Sequence, residues 1–308
     1  MLTSFFRKSK PINYLLVGVV ASFFYINNNF FKFFALNTLG ESLFFLLLYL
    51  FLMVLVNFIV HRNKVTEQNT YTLFLFVAFT CMFPEIYTDY QVLGASLFLL
   101  LALRRIMSMQ SGKALKQKIF DASLWSCFAF LCVPQSGLFL LLVWASVYFY
   151  QPKVISNWAI PLVSVFCVYI LATTVSLFST NQFYHVAIQE VLPQFNFLNF
   201  YKWQILAGVS VLLLSFFLSL ALLFKNMQKS VRNFRVSVYL LLTATLICLG
   251  MVVFSAKNNV AEILFPIIPI SILGGNYLEQ SRKRWKNEVL LWGLILGCFS
   301  IYFSSFLL

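Results

Sequence analysis

Charge is scarce in this chain, and acid scarcest of all: only 10% of its 308 residues are charged and just nine are Asp or Glu. A water-soluble domain of this length needs far more charged surface, so that class is excluded at the outset. Histidine is nearly missing, with two copies, and no CxxC pair occurs among the six cysteines. Neither His is spaced to complete a metal set, so neither a zinc site nor a disulfide framework is expected. Cys81, Cys127, Cys132, Cys167, Cys248 and Cys298 all sit in or beside apolar runs, where they read as small buried hydrophobes. There is no basic domain to hold a duplex, although the net charge is +13. The lysines and arginines fall instead in short segments between apolar runs, the pattern of loops beside anionic lipid, and nucleic acid is not an expected partner. Gly112 and Lys113 lack the rest of a phosphate-binding loop. No internal repeat is visible, which argues against an inverted-repeat transporter.

What the chain does have is apolar sequence, 61% of it, with 37 Phe. The apolar runs cover 12–26, 41–60, 71–84, 92–103, 119–133, 138–149, 158–177, 203–224, 236–254, 261–278 and 289–308. They predict an all-α fold: a polytopic transmembrane bundle of about eleven spans, forming a single integral membrane domain over 1–308. The basic head Met1 to Lys10 precedes the first run with no small-residue cleavage site after it, so that run is expected to stay as a span. Between the first two runs, FFKFFAL is expected to lie in the interface with Lys32 reaching water.

Two pairs of runs are short. About 20 apolar residues are needed to cross a hydrocarbon core of about 30 Å, and 71–84, 92–103, 119–133 and 138–149 all offer fewer. The first pair can cross only if the acidic turn between its members, carrying Glu85 and Asp89, sinks into the membrane or is shielded by protein. The second pair bends at Val133 to Gly137, where Pro134 and Gly137 break the helix. Pro266 and Pro269 are expected to interrupt the tenth run in the same way. Asp121, beside the most basic loop, reads as an acid complementing a helix dipole.

Charge sets the orientation. With the N-terminus inside, alternating spans leave every Lys and Arg on the inner side except Lys32, Lys202 and Lys257. Such asymmetry over short loops predicts an inside N-terminus and an outside C-terminus. The acids divide differently, with Glu41, Glu85, Asp89, Glu190 and Glu262 on the outer side, all at helix ends. A carboxylate there is costly unless paired or hydrated, which makes these residues functional candidates. Glu85 and Asp89, four apart, share a face if Pro84 starts a helical turn, and paired carboxylates can divide the work of base and neutral partner. The bland reading is that they cap the following span. Glu41 joins them as a catalytic candidate, while His185, Glu190, Lys257 and Glu262 are candidates for substrate binding. Lys257 reads either as a salt-bridge partner of Glu262 or as a ligand for lipid phosphate. No metal site is predicted and no cofactor is required, with a divalent cation left open.

The stretches LTSFFRKSKPINYLL, FPEIYTDYQVLGASLFLLLALRR and FDASLWSCFAFLCVPQSGLFLLLVWASVYFYQPKVISNWAIP resemble an uncharacterised family of multi-pass inner-membrane proteins of Bacteroidota. That resemblance implies a bacterial inner membrane and no established activity. A fainter resemblance, in the placing of Glu41, Glu85 and Asp89 on the outer side of a many-span chain with short helices, is to membrane glycosyltransferases that use polyprenyl-phosphate sugars. It implies a lipid-linked substrate handled at the outer face, with Glu85 or Asp89 as base and membrane lipids or a polyprenyl-phosphate-linked sugar as partner. The alternative is a non-enzymatic subunit or transporter packed into an envelope complex. Substrate-lined outer cavity or protein-covered apolar face is the feature that separates them.

Overall fold

The computed structural model describes all residues except 1, 8, 35, 64, 67–68, 186–191, 193–199, 227–231, 282–283 and 308. Within its helices, 34, 36–37, 222–226, 232–233, 284, 303 and 305–307 are described for the backbone alone. A helix covers each apolar run: α1 Pro11–Asn28, α2 Leu36–Arg62, α3 Tyr71–Cys81, α4 Tyr90–Ser108, α5 Leu115–Cys132, α6 Leu140–Tyr150, α7 Ile155–Thr180, α8 Trp203–Asn226, α9 Arg232–Val253, α10 Leu264–Gln280 and α11 Arg284–Leu307. Among the described residues there is no strand. Among the described residues, six helical stretches are long and apolar enough to cross a membrane: Thr38–Arg62, Tyr90–Ser111, Ile155–Thr180, Trp203–Ala221, Phe234–Val253 and Val260–Gln280. This is the architecture of a multi-pass membrane protein, in which each backbone polar group is satisfied within its own helix.

Two helices form the centre. In the stretch Val260–Gln280 every residue but Tyr277, Glu279 and Gln280 is buried, and in α3 every residue but Phe74 is buried. Eleven residues are fewer than a straight bilayer crossing needs, and α3 is enclosed by its neighbours α1, α2, α10 and α11. Between apolar helices in lipid, burial of apolar area gives little driving force, and close van der Waals packing decides the contact. Small residues supply it here. A Cβ at Gly275 would lie 2.2 Å from Thr72 Oγ1 and 3.2 Å from Thr72 Cα, and one at Gly274 would lie 2.9 Å from Leu75 Cδ1. Glycine at both positions lets the backbones of α10 and α3 approach. At one end of this pair, Asn276 Nδ2 donates to the Val65 carbonyl at 2.5 Å and Asn69 Nδ2 to Glu279 Oε2 at 3.0 Å, fixing α10 against the loop before α3.

The second prolines do not interrupt α10. Pro266 lies in its first turn, where no backbone N–H is needed, and the helix continues through Pro269. A separate 3-10 turn, Val260–Ile263, precedes it. Lys32 also departs from expectation: it is half-buried, its Nζ donates to Tyr90 Oη at 3.2 Å and it lies 4.9 Å from the centre of that ring. Asp121 is not at a helix start, because α5 begins at Leu115. It pairs with Arg105 at 3.1 Å across the α4–α5 hairpin, with side chains 34% and 44% exposed. At that exposure the pair contributes about 0–1 kcal/mol.

Candidate functional site

The acidic turn between α3 and α4 folds as the sequence directs. Pro84 opens a 3-10 turn, Pro84–Tyr87, at a position that needs no N–H. Asp89 follows in extended conformation and caps α4, Oδ1 accepting from Val92 N at 3.0 Å. Below the turn lies a floor of buried tyrosines. Tyr49 Oη and Thr80 Oγ1 are 2.6 Å apart, Tyr87 Oη donates to Thr80 Oγ1 at 3.4 Å, and the rings of Tyr49 and Tyr87 meet edge-on at 5.2 Å. Asn29, at the end of α1, donates to the Tyr87 carbonyl at 3.1 Å. These bonds hold the turn against α1, α2 and α3, so its carboxylates sit on a fixed platform.

A second turn meets the first. Residues 255–263 join α9 to α10, and the 3-10 turns Pro84–Tyr87 and Val260–Ile263 pack together. Asn258 adopts the left-handed conformation, φ 46°, that asparagine tolerates better than most residues. Asn259 is bound twice: its Oδ1 accepts from Ala261 N at 3.1 Å, and its Nδ2 donates to Asp89 Oδ2. Glu262, 2% exposed, accepts from Ser255 Oγ at 3.0 Å through Oε1, while its Oε2 is buried with no hydrogen-bond partner. The start of α8 completes the enclosure. A Cβ at Gly208 would lie 2.8 Å from Phe83 Cζ, so the bare helix surface there rests on the residue before Pro84 and brings Lys202 to the turn.

Where these parts converge there is a cavity of 320 Å³ lined by Glu85, Lys202, Lys257, Asn258, Asn259 and Val260. Lys202 and Lys257 are exposed, and Glu85 is half-buried with Oε2 lacking a hydrogen-bond partner. Glu85 can accept a proton or a hydroxyl hydrogen bond, and the two ammonium groups can neutralise an anionic oxygen. Asp89 has no such freedom, since one oxygen caps α4 and the other receives Asn259. Among the described residues no three His, Cys, Asp or Glu side chains converge as metal ligands.

Of the residues singled out by sequence, Glu85 and Lys257 line this basin, with Asp89 and Glu262 bonded into the two turns that wall it. Glu41 is exposed on α2 and is not part of its lining. His185 is exposed too, with Nδ1 3.2 Å from the Phe183 carbonyl, and Glu190 lies outside the described residues. Lys202, Asn258 and Asn259 are members that sequence reasoning missed. For Lys202 the signal was present: it is one of three basic residues that the charge pattern leaves on the acidic side. No curated protein and no solved structure matches the chain. Residues 1–306 match one family model throughout, and the chain therefore belongs to DUF6427, a family of unknown function.

Proposed function

We propose that this is a bacterial inner-membrane protein of about eleven spans, N-terminus in the cytosol and C-terminus outside, that handles a lipid-linked substrate at the outer face. The reading is carried by one juxtaposition: a half-buried carboxylate, Glu85, lining an open basin with two of the three basic residues assigned to that side, Lys202 and Lys257. That combination suits a transfer in which a hydroxyl becomes a nucleophile while a phosphate leaves. In glycosyl transfer from a polyprenyl-phosphate sugar, Glu85 takes the proton of the acceptor hydroxyl as its oxygen bonds to the anomeric carbon. The bond from that carbon to the phosphate oxygen breaks, and Lys202 and Lys257 stabilise the lipid phosphate that departs with the electron pair. Asp89 serves as a positioning residue, holding Asn259 and the start of α4. The tyrosine floor keeps the base from shifting.

The test compares wild type, Glu85→Gln and Asp89→Asn in proteoliposomes supplied with a radiolabelled polyprenyl-phosphate sugar and an extract of acceptor glycans. Release of lipid phosphate from the donor is expected to fall by about 10²-fold or more in Glu85→Gln, the scale of a lost general base, with the detergent melting temperature unchanged. Turnover by Glu85→Gln at the wild-type rate overturns Glu85 as the base; no turnover by the wild type overturns the enzyme reading and leaves the alternative, a non-enzymatic subunit or transporter of an envelope complex.

A further inference from the structure

A second and larger hollow, 610 Å³, lies where α5 gives way to the 3-10 segment Pro134–Phe139 and faces α7. Its size is in the range of about 300–1,000 Å³ usual for small-molecule sites. The hollow follows from sequence rather than from loose packing. Pro134 stops α5, and the next turn is tightened against it, since a Cβ at Gly137 would lie 2.8 Å from the Phe130 ring. Across the gap, α7 touches the bundle along a single stripe, Asn157, Pro161, Ser164 and Val168, at helical spacing. No residue of α7 beyond Val168 is buried, so the hollow is uncovered along the last three turns of that helix. The walls are apolar: Leu131, Leu138, Val165, Tyr169, Ala172 and Phe254 are among them.

Phe254 connects this groove to the polar basin. It lies three residues before Lys257 on the turn that lines the basin, and three residues of chain reach about 11 Å at most. A hydrocarbon-lined groove that opens toward lipid therefore ends beside two lysines. We propose that the groove holds the hydrocarbon chain of a phosphate-headed lipid whose phosphate rests at Lys257 and Lys202. The proposal deepens the reading above, on which it rests for the choice of a lipid, by assigning the part of the molecule that anchors it. A single chain fits better than a protein segment, because the groove offers almost no polar group to satisfy a backbone. Charge complementarity at its end selects an anionic head over a zwitterionic one.

The experiment uses the full chain in nanodiscs of phosphatidylcholine containing a small fraction of phosphatidic acid with a photoreactive diazirine midway along one acyl chain. After irradiation, peptides spanning 127–140 and 165–172 are expected to carry several-fold more label than peptides of α2, whose Phe44, Leu47 and Phe51 are also exposed. Ala172→Trp, which fills the groove, and Lys257→Gln, which removes the charge, should each reduce that enrichment several-fold. Leu131→Trp provides a second blocking variant, and a melting curve on each confirms folding. Uniform labelling of α2 and the groove overturns the proposal, as does equal labelling by the phosphatidylcholine analogue, because either would mean bulk lipid alone. Normal labelling with no glycosyl transfer in any variant would sink the enzyme reading and leave the groove standing.

Discussion

Glu85 and Asp89 sit four residues apart on one turn, yet their surroundings give them different work. Asp89 has both oxygens engaged, one by the α4 backbone and one by Asn259, whereas Glu85 keeps a buried oxygen without a partner. An unpaired buried polar atom costs stability, and sites that keep one commonly trade stability for function. The two substitutions should therefore move stability in different ways. Asp89→Ala loses a helix cap worth about 1 kcal/mol and leaves Asn259 without its acceptor, so its melting temperature in detergent should drop. Glu85→Gln should melt at or above the wild-type temperature. A drop in Glu85→Gln equal to that in Asp89→Ala would assign Glu85 to structure. Sequence placed both acids on the turn and could not separate them, because the residue that does so, Asn259, lies 170 positions away. Glu262 was legible as an acid at a helix end but not as a buried one. Its burial depends on how 255–263 folds over the acidic turn.

At the scale of elements, the helices were readable because a bilayer demands long apolar runs between polar ends. Their depth in the bundle was not. A helix facing lipid and a helix facing protein are both apolar on every side, so hydropathy does not distinguish α3, buried almost throughout, from Ile155–Thr180, where only Asn157, Pro161, Ser164 and Val168 are buried. The distinguishing mark was small residues. Gly274 and Gly275 sit where α10 crosses α3, and the prolines nearby drew attention as breaks although α10 runs through Pro269. The two kinds of helical glycine make a prediction. Gly275→Ala forces a Cβ into Thr72, backbone included, and should cost about 1–3 kcal/mol as overpacking does. Gly250→Ala meets nothing within 4 Å and should gain up to about 1 kcal/mol from helix propensity. Detergent melting curves on the pair check both signs. Because α3 leads directly into Pro84, Gly275→Ala should also disturb the basin, and Gly250→Ala should not.

For the whole molecule, one pattern organises the reading: with the apolar runs alternating across a bilayer, basic residues are expected to be withheld from the end that carries Glu41, Glu85, Asp89 and Glu262, apart from three. Those three are not scattered. Lys202 and Lys257 line one basin, and Lys32 is held on Tyr90, at the start of the helix that Asp89 caps. Positive charge near an outer surface works against the bias that orients the chain, so its concentration around one turn is best understood as serving an anion. The same bias predicts which side that turn faces, and this can be measured. Thr88 and Lys113 are both exposed, at opposite ends of α4, while the native Cys81, Cys127, Cys248 and Cys298 are buried and give little background. With Cys132 and Cys167 replaced by Ser, a membrane-impermeant thiol reagent added to intact spheroplasts should label Thr88→Cys and leave Lys113→Cys unlabelled until the membrane is opened. The reverse pattern would turn the molecule over. Glu85 and both lysines of the basin would then face the cytosol, and a substrate handled at the outer face would have no site.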